Sequence, residues 1–296
     1  MTDSKTYFSI EISLLALLAL LWGSSYLFIK IAVETIPPVT LIATRVTGAT
    51  IFLLVILVLN RVRLPGDIPT WRMLFPQAIF NSIGAWTVLA WGQQYVDSGL
   101  ASVLNSTSPI FVFFITSLIT RHESTGTLKL VGACLGVVGV TLIVGFDAVK
   151  GFGQQVIAQL AVLLGALLYA CAAIYGKRLS HLPPIVSATG TMIWATICLV
   201  PLSMVIEKPW SLRPSINSVF AAIILSTLCT GVALLIYFRL VRTLGSMGVA
   251  SQSYLRAGVG VILGVAILGE QITLVIGLGL ISVILGVTAI NAPLKR

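Results

Sequence analysis

The chain has 296 residues, of which 57% are hydrophobic and only 9% charged, with a mean hydropathy of +1.05. A water-soluble chain carries about 25% charged residues, so this one cannot cover a globular surface in water. That excludes a soluble enzyme, a nucleic-acid reader and a disordered chain, and it makes lipid the main solvent. The net charge of +9 then bears on orientation in a bilayer.

Spanning the hydrocarbon core takes about 20 apolar residues in helical form, because every backbone polar group must be satisfied within the segment. Cutting the chain at its charges, prolines and glycines predicts ten such spans. The first five are Ile10–Ala32, Val39–Asn60, Trp71–Tyr95, Gly99–Thr120 and Thr127–Phe146. The second five are Ile157–Lys177, Ile185–Ile206, Asn217–Arg239, Gly245–Leu268 and Thr273–Asn291. The leader Met1–Glu11, with Asp3, Lys5 and Glu11, lacks the basic n-region of a cleaved signal. Connecting loops are short and leave no room for a soluble domain. Twelve of the eighteen Lys and Arg fall at span ends facing one side and only Lys150, Lys208 and Arg213 at the other. By the positive-inside rule both termini are expected in the cytoplasm.

Cys134, Cys171, Cys198 and Cys229 each sit in an apolar run and form no CxxC pair. They read as buried small hydrophobes, so neither a disulfide framework nor a zinc site is expected. Gly258-Val-Gly260 is not a dinucleotide fingerprint, since no strand precedes it, and no cofactor is expected. No Asp, Glu or His lies deep in a span, which leaves an intramembrane enzyme without a nucleophile–base pair or metal ligands.

The chain also repeats itself. Pro37-Pro38 recurs as Pro183-Pro184, Glu123 as Glu270, Gly132 and Gly139 as Gly279 and Gly286, and Gly99–Ser102 as Gly248–Ser251, at offsets of 146 to 149 residues. Each copy, 1–148 and 149–296, holds five spans. An odd number makes the second copy enter the membrane from the opposite side. The expected fold is therefore all-α and integral to the membrane, with ten transmembrane helices as two inverted repeats around a central cavity, the arrangement of secondary transporters.

The run from Gly99 to Val112 (GLASVLNSTSPIFV), Glu123 with the glycine-spaced helix behind it, their second copies, and Leu21-Trp22-Gly23-Ser24-Ser25 in the first span together resemble EamA-type members of the drug/metabolite transporter superfamily. The resemblance implies a ten-helix basket whose cavity is lined by spans 1, 3, 4, 6, 8 and 9, with spans 5 and 10 at the periphery. It also implies kinship with bacterial inner-membrane exporters of amino acids and related metabolites.

Candidate substrate-binding residues are the polar and aromatic groups at midplane height: Trp22, Tyr26, Asn81, Trp86, Asn105, Tyr169, Tyr254 and Arg256. An Arg at mid-span costs about 2.5–3.5 kcal/mol on insertion scales. Arg256 is thus expected to face the cavity and meet an anionic group such as a carboxylate, or else to bond helix carbonyls. Lys30 and Arg45, read as about one turn inside their spans, are expected to snorkel, with contact to the substrate as the alternative for each. Pro109, which lacks an N–H, and Gly258 in the matching span are hinge candidates. A small zwitterionic metabolite, above all an amino acid, suits one central cation. Carriers of phosphorylated or nucleotide sugars would want more than one. Organic-cation extruders would want a buried carboxylate, and without a titratable acid at depth the carrier is expected to be facilitative.

Overall fold

The computed structural model describes residues 2–116, 127–149, 153–243 and 252–291, and among them there are helices and no strand. We number the helices in chain order. α1 is Thr2–Ala32, α2 Pro38–Leu59, α3 Ile68–Gly92, α4 Ser98–Phe114, α5 Thr127–Val149 and α6 Gln154–Gly176; α7 is Pro184–Ile206, α8 runs over 216–243, α9 is Gln252–Leu268 and α10 Leu274–Asn291. Six of them (the parts Ile10–Ala32, Pro38–Leu59, Ile68–Gly92, Gln154–Leu179, Pro184–Ile206 and Ile216–Tyr237) are long and apolar enough to cross a membrane, and four shorter apolar helices accompany them. Glu123 and Gly248–Ser251, which carried part of the repeat, lie outside the described residues.

The helices start and stop for identifiable reasons. Pro38 and Pro184 open α2 and α7 at the position where a missing N–H costs nothing. The Asp67 carboxylate accepts the Thr70 N–H at the start of α3, and the Ser215 hydroxyl accepts the Ser218 N–H at the start of α8. The hydroxyl and then the N–H of Thr70 hold the Asp67 carboxyl below its ordinary range. Just past α2 and α7 stand Arg61 at φ 53° and Lys208 at φ 47°, side-chain-bearing residues in the left-handed region that usually favours glycine. They are 147 residues apart, so the second copy keeps even this strained terminator.

Two helices are interrupted in the same way. α3 passes through a π-helical stretch at Ile79–Ala85, and α8 does so at Thr227–Val232. Such wider turns leave backbone groups off the regular ladder and recur at functional sites. α4 bends at Ser106 and Thr107, where N–H groups reach back three residues. Pro109 then enters the following segment near its start, so the bend precedes the proline. α9 runs uninterrupted through Gly258.

Packing follows a paired scheme. α5 lies along α10 and α2 along α7; α1 packs on α8 and α9, while α6 packs on α3 and α4. The glycines that repeat in sequence meet each other. A Cβ built on Gly139 would stand 2.7 Å from the Gly279 carbonyl oxygen, and one on Gly286 2.5 Å from that of Gly132. Small residues here let the two backbones touch, and the order of contact makes α5 and α10 antiparallel. In the α2–α7 pair the hydroxyls of Thr50 and Thr196, 146 residues apart, lie 3.0 Å from one another. The buried core runs between the helices through residues such as Leu41, Leu53, Leu104, Val162 and Leu199, while Ile51, Val55, Val205, Ile262 and many like them face outward.

The cysteines correct one expectation. Cys229 is buried, but Cys171 and Cys198 are half-buried and Cys134 is exposed, all as free thiols. Against lipid a small apolar side chain gains nothing from being inside the protein.

Candidate functional site

Between the halves lies a group of polar and aromatic side chains drawn from both. Tyr26 of α1 and Asn105 of α4, 3% and 1% exposed, meet as the Asn105 amide donates to the Tyr26 hydroxyl at 2.7 Å. Asn105 stands at the end of the first α4 segment, just before the bend, and its Oδ1 is buried without a partner. Trp86 follows directly on the π-helical stretch of α3, and its indole N–H donates to the Tyr169 hydroxyl of α6. Gln93 closes the end of α3 onto α1, donating from Nε2 to the Tyr26 carbonyl at 2.8 Å. Tyr26, Asn105, Trp86 and Tyr169 are thus brought together. Arg256 of α9 lies within electrostatic range of Tyr169, as does Arg45, and the Arg256 Nε is buried without a partner.

Arg45 is the residue misread from sequence. It does not snorkel: it is 5% exposed, with its guanidinium carbon 4.1 Å from the centre of the Trp86 ring and its Nε donating to the Thr230 hydroxyl at 2.9 Å. Seven residues past Pro38, at 1.5 Å rise each, it stands about 10 Å inside α2, beyond what its side chain spans to reach the surface. A helix outside the expected lining set therefore contributes to the centre. Thr230, a polar group at midplane height left out of the candidate set, is presented by the π-helical stretch of α8, where its hydroxyl also donates to the Leu225 carbonyl five residues back. The sequence does carry a trace of these wide turns. Gly84 and Gly231 sit in the two stretches 147 residues apart, and a Cβ on Gly84 would stand 2.8 Å from the Ile79 carbonyl oxygen.

Other expected site residues lie elsewhere. Trp22 stacks on Tyr237, ring centres 5.4 Å apart, in a satellite cluster with Leu15, Leu18 and Leu240. Asn81 donates to its neighbour Ser82 at 3.1 Å. The Tyr254 side chain is outside the described residues. Gly258 shares the outward face of α9 with Leu255 and Ile262, and a Cβ added to it meets nothing within 4 Å. Lys30 is also tied down, donating to the Val96 carbonyl at 2.9 Å beyond the end of α3.

Three carboxylates hold the periphery. Glu207, at the end of α7, accepts the N–H groups of Val39 and Thr40 at the start of α2. Glu270, after α9, accepts those of Ser98 and Gly99 at the start of α4. These are charges placed where helix N-termini favour them. Glu11 pairs with Arg239 at 3.0 Å and accepts the Thr243 hydroxyl, fastening α1 to α8. Among the described residues no group of three or more His, Cys, Asp or Glu is placed to hold a metal.

This arrangement of two similar halves has known counterparts. A family model described as the EamA-like transporter family matches residues 9–145 and again 156–292. The chain belongs to the EamA-like transporter family. Its relatives include the inner membrane transporter YedA of Escherichia coli K12, 27% identical over 256 residues that cover 86% of this chain and 82% of YedA. YoaV of Bacillus subtilis is a transporter 24% identical over 90% of this chain and 92% of its own. PagO of Salmonella typhimurium is 28% identical over 78% and 76%. None of these three names states a substrate. A solved crystal structure superposes with a TM-score of 0.64 at 16% identity, covering 95% of this chain and 96% of that one, which speaks for the fold alone. As an EamA-type protein this chain is a membrane transporter and not an enzyme.

Proposed function

We propose that this EamA-type protein is a secondary carrier that moves a small carboxylate-bearing metabolite outward by alternating access. In this reading the ten spans form two inverted five-helix copies, 1–148 and 149–296, around a central cavity, with both termini cytoplasmic. The observation that carries it is the central group: Tyr26, Arg45, Trp86, Asn105, Tyr169 and Arg256 come from five residue-bearing elements of α1 to α6 and from α9, and they converge where a merely structural membrane protein would gain nothing from costly polarity. The antiparallel course of α5 and α10, which are equivalents in the repeat, supports inversion. Copies related by an axis along the membrane normal would place those helices parallel.

Amino acids are the cargo that one central cation favours, whereas a phosphorylated or nucleotide sugar asks for more than one. Arg45 adds the second. A drug extruder for organic cations is disfavoured because none of the nine acidic residues lies deep in a span. The same lack supports facilitative movement over proton coupling.

The test is counterflow in proteoliposomes against amino acids, organic anions, sugars and organic cations, with and without an imposed pH gradient. Accumulation of a labelled solute driven by its own internal pool, indifferent to the pH gradient, is the expected result. Absence of counterflow for every solute would sink the carrier reading, and a flux that follows the pH gradient would sink its facilitative part.

A further inference from the structure

We infer that the central site takes a small organic dianion, its two negative charges shared between Arg45 and Arg256, in preference to a zwitterion. This names the cargo class of the carrier proposed above and rests on that reading only for the transport step.

The argument is one of charge balance. Two guanidinium groups stand within electrostatic range of the same phenol, Tyr169, and one of them is almost fully buried. Guanidinium stays protonated in proteins, and a buried charge is tolerated only when something compensates it. The chain has nine carboxylates, and none lies in the interior of a span. Three of them are engaged at the periphery: Glu207 and Glu270 on helix N-termini, Glu11 on Arg239. What Arg45 does have is the Trp86 ring and the Thr230 hydroxyl, which stabilise a cation without neutralising it. The Arg256 Nε lacks even a hydrogen-bond acceptor. A zwitterion brings no net charge and leaves both cations unbalanced, and its ammonium would sit beside them. A dianion balances both, and Arg offers paired donors that match carboxylate and phosphate oxygens.

The experiment is equilibrium binding of labelled succinate to the purified full-length protein in detergent, with unlabelled succinate, glycerol 3-phosphate and phenylalanine as competitors. It is run on the wild type and on Arg45→Gln, Arg45→Lys and Arg256→Gln. Expected are saturable succinate binding, displacement by one or both dianions at concentrations at least tenfold below those needed for phenylalanine, and at least tenfold weaker binding in each Gln variant with partial recovery in Arg45→Lys. The apo melting temperature of Arg45→Gln should be no lower than that of wild type, because the variant removes a charge with no counter-ion. A purely structural arginine would instead lower it while leaving affinity intact. If Arg45→Gln yields no folded protein, Arg256→Gln decides by the same affinity criterion.

No saturable binding of either dianion, equal competition by phenylalanine, or full affinity in the Gln variants overturns the inference. Displacement by glycerol 3-phosphate better than by succinate would identify a phosphate as the preferred bearer of the two charges, and the reverse a dicarboxylate. Succinate binding without counterflow would remove the carrier reading and leave this one standing. Counterflow of phenylalanine without dianion binding would do the opposite.

Discussion

At the scale of single residues, the centre of the molecule is held by hydrogen bonds that leave atoms over. Asn105 gives its amide to Tyr26 and keeps Oδ1 free of any partner. A buried polar atom without a partner costs roughly 1–3 kcal/mol, which a ligand that donates to Oδ1 would recover. Tyr26→Phe should extend the deficit, since the Asn105 amide then loses its acceptor while no volume is gained. We expect the melting temperature in detergent to fall by an amount corresponding to about 1–3 kcal/mol, and ligand protection against heating to shrink with it. An unchanged melting temperature would mean that the Tyr26–Asn105 bond is replaceable by water.

The same scale explains why Arg45 matters more than its sequence position suggested. It interacts with α3 through Trp86 and with α8 through Thr230, so one side chain reports on three helices. A guanidinium over an indole is worth about 0.5–1 kcal/mol when exposed and about 2 kcal/mol or more when desolvated, which favours that placement without cancelling the charge.

At the scale of helices, close approach is decided by which glycines face a neighbour. Gly286 touches the Gly132 carbonyl and the Gly136 backbone, while Gly258 faces open space. Gly286→Ala must push α10 off α5, backbone against backbone, and overpacking of that kind costs about 1–3 kcal/mol. Gly258→Ala meets nothing and improves helix propensity. The expected outcome is a lower melting temperature for Gly286→Ala and an equal or higher one for Gly258→Ala, both measured in the same detergent. The second variant also bears on the hinge: transport at the wild-type rate with Gly258→Ala would remove this glycine from the moving parts, as its outward position already suggests. The bend in α4 is the better candidate for motion on geometric grounds, because at Ser106 and Thr107 the regular ladder is already exchanged for shorter bonds.

At the scale of the whole molecule, Thr50 meets its own counterpart in the second copy, Thr196, and the Gly132/Gly139 pair meets its counterpart pair crosswise, Gly132 on Gly286 and Gly139 on Gly279. In the inverted arrangement proposed above, a residue that touches its own counterpart, as Thr50 does, lies next to the two-fold axis. In a background with the four native cysteines replaced by serine, Thr50→Cys together with Thr196→Cys should form an intramolecular disulfide on mild oxidation. It would be seen as a shift in electrophoretic mobility that reductant reverses. Cysteines at Thr50 and Thr44 in the same background should not cross-link, since both belong to α2. Failure of the first pair to oxidise in folded protein would count against the antiparallel α2–α7 contact.

The family, the all-helical membrane character and the repeat could be read from the chain because each is written in composition or in recurrence at a fixed offset. Pro38 with Pro184 and Gly132 with Gly279 needed no tertiary information, and Tyr26, Trp86, Asn105 and Tyr169, which the fold brings together, could be picked out as candidates because polar groups at mid-span stand out against an apolar run. What the chain alone did not decide was direction. In water, hydrophobic periodicity marks the buried face of a helix; in lipid both faces are apolar, so nothing in the local sequence says that Gly258 turns outward, that Cys134 is exposed or that Trp22 joins Tyr237. Arg45 was hidden for the same reason. Its depth follows from counting residues past Pro38, but its orientation toward Trp86 and Thr230 depends on how α2 sits against α3 and α8, and on π-helical turns that only the packed helices reveal.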